Sequence, residues 1–104
     1  MKVLVADDDA IVRTLIVKAV ESLGHVTIQA ADGKQAWNIL CNNQDIALLI
    51  TDIMMPDMSG ESLVKIIRGN EGTSSLPVII VSGIVSIGEI EGILQLGNSC
   101  FIAK

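Results

Sequence analysis

Aromatic side chains are nearly absent from this sequence, which carries one Trp and one Phe in 104 residues. Surfaces that grip single-stranded nucleic acid stack bases on several such rings, so that class of binder is excluded. Basic charge is scarce as well. Seven Lys and Arg stand against twelve Asp and Glu, and the net charge of −5 repels a phosphate backbone. Long apolar runs are also missing. The opening stretch Met1-Lys2-Val3-Leu4-Val5-Ala6 stops at three aspartates, far short of the ~20 residues of a membrane span and without the cleavage pattern of a signal peptide. The two cysteines, Cys41 and Cys100, have no CxxC or CxxH spacing, which argues against a thiolate metal site or a redox pair. Both are expected to be buried thiols, in keeping with a reducing cytoplasm and a cytosolic protein.

Apolar aliphatic material is what the chain has in quantity. Half the residues are hydrophobic and only 18% are charged, enough for one packed core in one domain spanning residues 1–104. Short apolar runs at 2–6, 26–30, 47–51, 78–82 and 100–103 read as buried strands. Between them lie segments of helical period. The first, at 10–23, places Val12, Ile16, Ala19, Val20 and Leu23 on one face, with Gly24 as its stop. The second, at 34–41, turns Ala36, Trp37 and Leu40 inward. A third at 60–68 is capped by Ser59, and a fourth at 87–96 opens at Ser86 with Glu89 and closes at Gly97. Strands alternating with helices at this spacing give an α/β fold, a doubly wound parallel sheet with helices on both faces in three layers.

In such sheets ligands bind at the carboxyl ends of the strands. Here those ends carry Asp7-Asp8-Asp9, Asp52, Ser82 and Lys104. Clustered carboxylates repel one another unless a cation sits among them. Hard oxygen donors with room for water suit Mg²⁺. A carboxylate so placed can attack phosphorus, and a Lys and a hydroxyl can bind the phosphoryl oxygens. Each residue alone has a plainer reading. Asp7 to Asp9 equally form an acidic helix entrance, which is all that Asp9 is expected to do. Ser82 alone is a common turn former, Lys104 alone a frayed end. His25 is expected to be exposed. Met54, Met55 and Met58 read as a loop suited to meeting a partner.

Three stretches taken together, Val3-Leu4-Val5-Ala6-Asp7-Asp8-Asp9, Leu49-Ile50-Thr51-Asp52-Ile53-Met54-Met55-Pro56-Asp57-Met58-Ser59-Gly60 and Pro77-Val78-Ile79-Ile80-Val81-Ser82-Gly83, resemble the receiver domain of two-component response regulators along the whole chain. That resemblance implies a flavodoxin-like sheet of five strands in the order 2-1-3-4-5. It implies a phospho-accepting switch rather than an enzyme, fed by a sensor histidine kinase or a phosphotransfer protein, and composition adds the expectation of no direct nucleic-acid or membrane contact. Asp52 would be the phosphoacceptor. Asp8, Asp52 and the backbone carbonyl of Met54 would surround Mg²⁺, with Asp7 joining directly or through water. Ser82 would hydrogen-bond the phosphoryl group, Lys104 would pair with it, and Phe101 would match the switch aromatic that follows Ser82. Partner specificity would lie near Ile11, Val12 and Thr14.

Departures from that pattern carry expectations of their own. The family continues past the Lys into a fifth helix, whereas this sequence stops at Lys104, so the uncovered face is expected to self-associate. Met54 and Ile84 stand where the family orients the hydrolytic water, and neither side chain can hydrogen-bond it. Loss of phosphate should therefore be slow. Two other functions compete: a receiver-like docking module that accepts no phosphate, and a Mg²⁺-dependent phosphohydrolase of the haloacid-dehalogenase type. The second would want an acid two residues beyond Asp52, where Met54 stands.

Overall fold

Lys2–Ala6 forms the first strand of the computed structural model, β1, and is followed by α1 (Ala10–Ser22), β2 (Val26–Ala30), α2 (Gly33–Asn42), β3 (Ile46–Thr51), α3 (Gly60–Arg68), β4 (Val78–Ser82) and β5 (Ser99–Ala103). The structure describes residues 1–56, 58–82 and 99–103. The helix expected at 87–96, Ile84 and Lys104 lie outside the described residues. All five strands pair in parallel in the order β2-β1-β3-β4-β5, as the resemblance implies. Among the described residues, no helix is long and apolar enough to cross a membrane.

Successive strand residues point to opposite faces, and the two faces bury different sets. Leu4, Ala6, Leu49, Val78 and Ile80 pack with Ala36 and Leu40 of α2 and with Leu63, Val64 and Ile67 of α3. Val3, Val5 and Ile50 turn the other way, onto Val17 and Val20 of α1. Three layers result.

Each of α1, α2 and α3 starts on a side chain that satisfies free amides of its first turn. Asp9 accepts from the Ile11 amide at 2.9 Å and caps α1. Asp32 accepts from Gln35 at 2.8 Å and caps α2, and Ser59 accepts from Ser62 at 3.2 Å and caps α3. Among the described residues the strand-to-helix connections run over the carboxyl rim of the sheet, so these caps also anchor the rim loops. At the far end of α1, Gly24 adopts φ +90, a left-handed turn that a Cβ would strain.

Several expectations need correction. The buried face of α1 is Val17 and Val20 with Ile16 beside them, while Leu23 is 74% exposed and Ala19 is also outside. Leu23 follows the last helical turn, where the chain already bends away toward Gly24. β2 is not a fully buried strand: it lies at the sheet edge, and Val26 is 62% exposed. Cys41 is exposed, because it follows Leu40 on α2 and so lies off the face that Ala36 and Leu40 bury. His25 is half-buried, and its Nδ1 lies 3.2 Å from the Met1 amino group.

Candidate functional site

Sheet register decides which acids meet. Ala6 of β1 is level with Thr51 of β3, so the residues that follow them, Asp7 and Asp52, leave the sheet side by side. Their main chains are still tied at that level. The Asp52 amide donates to the Ala6 carbonyl at 3.0 Å and the Asp7 amide to the Ala30 carbonyl at 3.1 Å. Carboxylate oxygens of Asp7, Asp8 and Asp52 all lie within 4.8 Å of one another.

Burial divides the three. Asp7 is fully buried and Asp52 is 6% exposed, whereas Asp8 faces solvent. Amides hold the buried pair in place. Asp7 Oδ1 accepts from the Asp9 amide at 2.9 Å, and Asp52 Oδ1 accepts from the Ile53 amide at 2.7 Å and from the Met54 amide at 3.4 Å. Two ionised carboxylates this close repel by roughly 3 to 4 kcal/mol at an effective dielectric near 20. A compact divalent cation reverses the sign of that interaction. An all-oxygen set open to water on the Asp8 side fits Mg²⁺, which keeps several waters and needs few carboxylates.

The loop after β3 is built around two close approaches. Gly60 donates its amide to the Ile53 carbonyl at 2.8 Å, and a Cβ there would collide with the Asp52 carbonyl oxygen and stand 2.9 Å from Ile53 Cα. A Cβ on Gly33 would collide with the Met58 carbonyl oxygen. Thr51 Oγ1 donates to the Asp52 carbonyl at 2.9 Å. The loop is thus pressed against the starts of α2 and α3, with Met54 66% exposed at its crest. Met55 and Met58 turn back onto the core, so of the three methionines only Met54 offers itself to a partner. An open groove of about 620 Å³ beside Asp8 is lined by Ile53, Met54, Met55, Pro56, Ser59 and Glu61. A smaller cavity of about 220 Å³ near Trp37 and Leu76 lies at the opposite end of the sheet, away from the acids.

Of the residues that the sequence singles out, Asp7, Asp8 and Asp52 come together as expected. Met54 reaches the cluster through its amide. Ser82 closes β4 opposite Ala103, and Phe101 lies in β5 opposite Ile80. Lys104 lies outside the described residues. Sequence reasoning missed Arg13, whose Nη1 donates to the Asp7 carbonyl at 2.6 Å. The available signal was a lone basic residue one turn into a helix that begins on acids.

The family model for the response regulator receiver domain matches residues 3–104 of the chain. A chemotaxis protein CheY homolog of Campylobacter jejuni is 36% identical over 105 aligned residues, which cover 100% of this chain and 81% of that protein. The chemotaxis protein CheY1 of Helicobacter pylori is 34% identical, with 100% of this chain and 85% of that protein covered. A response regulator receiver protein from Pseudomonas putida superposes with a TM-score of 0.93 at 33% identity, covering 99% of this chain and 84% of that one.

Proposed function

This chain belongs to the response-regulator receiver family and is a phosphoacceptor signalling switch, and from that premise we propose that Asp52 is the carboxylate that takes the phosphoryl group. The observation that carries the assignment is the placing of Asp52 at the end of β3, buried, fixed by two amides and within 4.8 Å of two further carboxylates. A nucleophile held in one orientation loses little freedom on reaction. Asp7 and Asp8 would hold a Mg²⁺ ion with Asp52, joined by the Met54 carbonyl. When bound, the ion offsets the negative charge shared by the acids and the incoming phosphoryl group.

The donor is a phosphohistidine on a sensor kinase or a phosphotransfer protein, met in the cytoplasm by residues 1–104 acting as one receiver unit. An oxygen of Asp52 attacks phosphorus, the O–P bond forms as the donor's N–P bond breaks, and the electron pair leaves with an imidazole that takes up a proton. Ser82 and Lys104 then hold the phosphoryl oxygens, and Phe101 follows Ser82. Turnover of an external substrate is no part of this cycle. Apolar Met54 and Ile84 leave the hydrolytic water unoriented, which prolongs the phosphorylated state.

Intact mass after incubation with a small acyl-phosphate donor and Mg²⁺ tests the assignment. One added phosphoryl group, lost with Asp52→Ala and with chelator, is expected. Labelling that persists in Asp52→Ala would move the acceptor elsewhere. No labelling of the unaltered chain would favour a docking module, and steady hydrolysis of a generic phosphate ester would favour a phosphohydrolase.

A further inference from the structure

We propose that Arg13 is a positioning residue for the acidic site, setting the direction in which Asp7 and Asp8 present their carboxylates to the cation; this rests on the metal-binding role proposed for those acids. Arg13 lies one turn into α1, with its amide on the Asp9 carbonyl at 2.9 Å. From there its side chain reaches back over the end of β1. Nη1 donates to the Asp7 carbonyl at 2.6 Å, and Nε donates to Gln29 Oε1 at 3.1 Å. One planar fork therefore ties the end of β1 to β2, which a single ammonium cannot do in two fixed directions.

The Asp7 carbonyl matters because it shares a peptide plane with the Asp8 amide. Fixing that plane fixes both the ψ of Asp7 and the direction in which the chain enters Asp8. Other bonds act nearby: the Asp7 amide is held by Ala30, and the bond from the Asp9 amide to Asp7 Oδ1 closes a turn around the Asp7–Asp8 peptide, so the guanidinium is the restraint that grips that turn from outside, at its carbonyl. Among the described residues no hydrogen bond orients the exposed Asp8 carboxylate itself, so its aim comes from the backbone beneath it. A charge-assisted bond of this length is of the stronger kind.

Arg13 also keeps its charge off the ligands. Among the described residues its side-chain bonds go to a carbonyl and an amide oxygen, not to a carboxylate. A guanidinium paired with Asp7 or Asp8 would compete with the cation. Bound to the main chain, it orients the acids and leaves them to the metal.

The test is titration calorimetry with Mg²⁺ alone on the unaltered chain, Arg13→Ala, Arg13→Lys and Gln29→Ala, with melting measured in chelator for each. Partners that orient metal ligands are worth about 10- to 100-fold in affinity. Arg13→Ala is expected to weaken Mg²⁺ at least about 10-fold, Arg13→Lys to recover part of the loss through one donor to Asp7, and Gln29→Ala to fall between the unaltered chain and Arg13→Ala. These losses should not follow the order of the chelator melting points. Equal or tighter Mg²⁺ binding by Arg13→Ala would overturn the inference while leaving the Asp52 assignment intact. A purely structural role would also overturn it, seen as affinity falling in step with melting and no recovery by Arg13→Lys. Absence of Mg²⁺ binding by the unaltered chain would overturn both readings.

Discussion

At Gly60 the backbone of the site loop passes so close that only hydrogen fits. The obstacle to a Cβ is main chain, the Asp52 carbonyl and Ile53 Cα, and main chain cannot swing aside as a flexible side chain does. Gly60→Ala should therefore destabilise the fold by about 1 to 3 kcal/mol or more, and it should slow phosphoryl acceptance by displacing the peptide that carries Asp52. Denaturant unfolding alongside mass labelling reads both effects. Gly72→Ala is the control, since nothing lies within 4 Å of its added Cβ, and it should change neither by much. A Gly60→Ala chain as stable as the control would show that the loop is freer than its packing suggests. Gly60 looks in the sequence like any glycine at a helix start. Its necessity comes from a close approach that is visible only once β3 and α3 are packed.

Among the elements, α1 separates what periodicity can and cannot reveal. Its span and its Gly24 stop are written in local residue types and appear where expected, and Asp9, expected only as acidic charge at the helix entrance, caps it. Its buried face is not. Apolar residues surround most of the helix, with Ile11 75% and Leu15 62% exposed, so several stripes compete and tertiary packing selects Val17 and Val20. α3 is the opposite case, with one clean stripe in Leu63, Val64 and Ile67. Leu63→Ala should cost about 2 to 5 kcal/mol by leaving a cavity in the larger core, Val17→Ala less, and Leu23→Ala under about 0.5 kcal/mol. Unfolding midpoints of the three variants check that order. A large loss from Leu23→Ala would return the expected face of α1 to favour. The acids were legible for a related reason: charged residues that end continuous apolar runs have few structural roles to play, and the register of β1 on β3 does the rest.

Across the whole molecule the two ends of the sheet behave differently. At the carboxyl rim the acids oppose one another. At the other end Lys2 donates to Asp45 at 2.9 Å and joins β1 to the approach to β3. That hydrogen bond holds the Asp45 carboxyl below its ordinary value of 3.8. A group depressed in the folded state stabilises above its unfolded pKa and loses that contribution as pH falls through the folded one. The pair should therefore help at neutral pH and lose that help progressively as pH falls below about 4. Lys2→Ala should bring the Asp45 titration, followed by NMR, back toward the ordinary value with only a small change in stability at pH 7, because the pair is exposed. An Asp45 titration unmoved by Lys2→Ala would remove the pair from the account.

The strand order has a temporal side. β1 precedes both of its neighbours in the chain but lies between β2 and β3, so during synthesis it has one flank open until residues 46–51 emerge. At about 5 to 20 residues per second that delay is on the order of several seconds. A nascent β1-α1-β2 unit holds Asp7 and Asp8 but not Asp52. The three clustered acids are thus complete only once β3 and the residue after it have been made, which comes before β4 and β5 join the sheet.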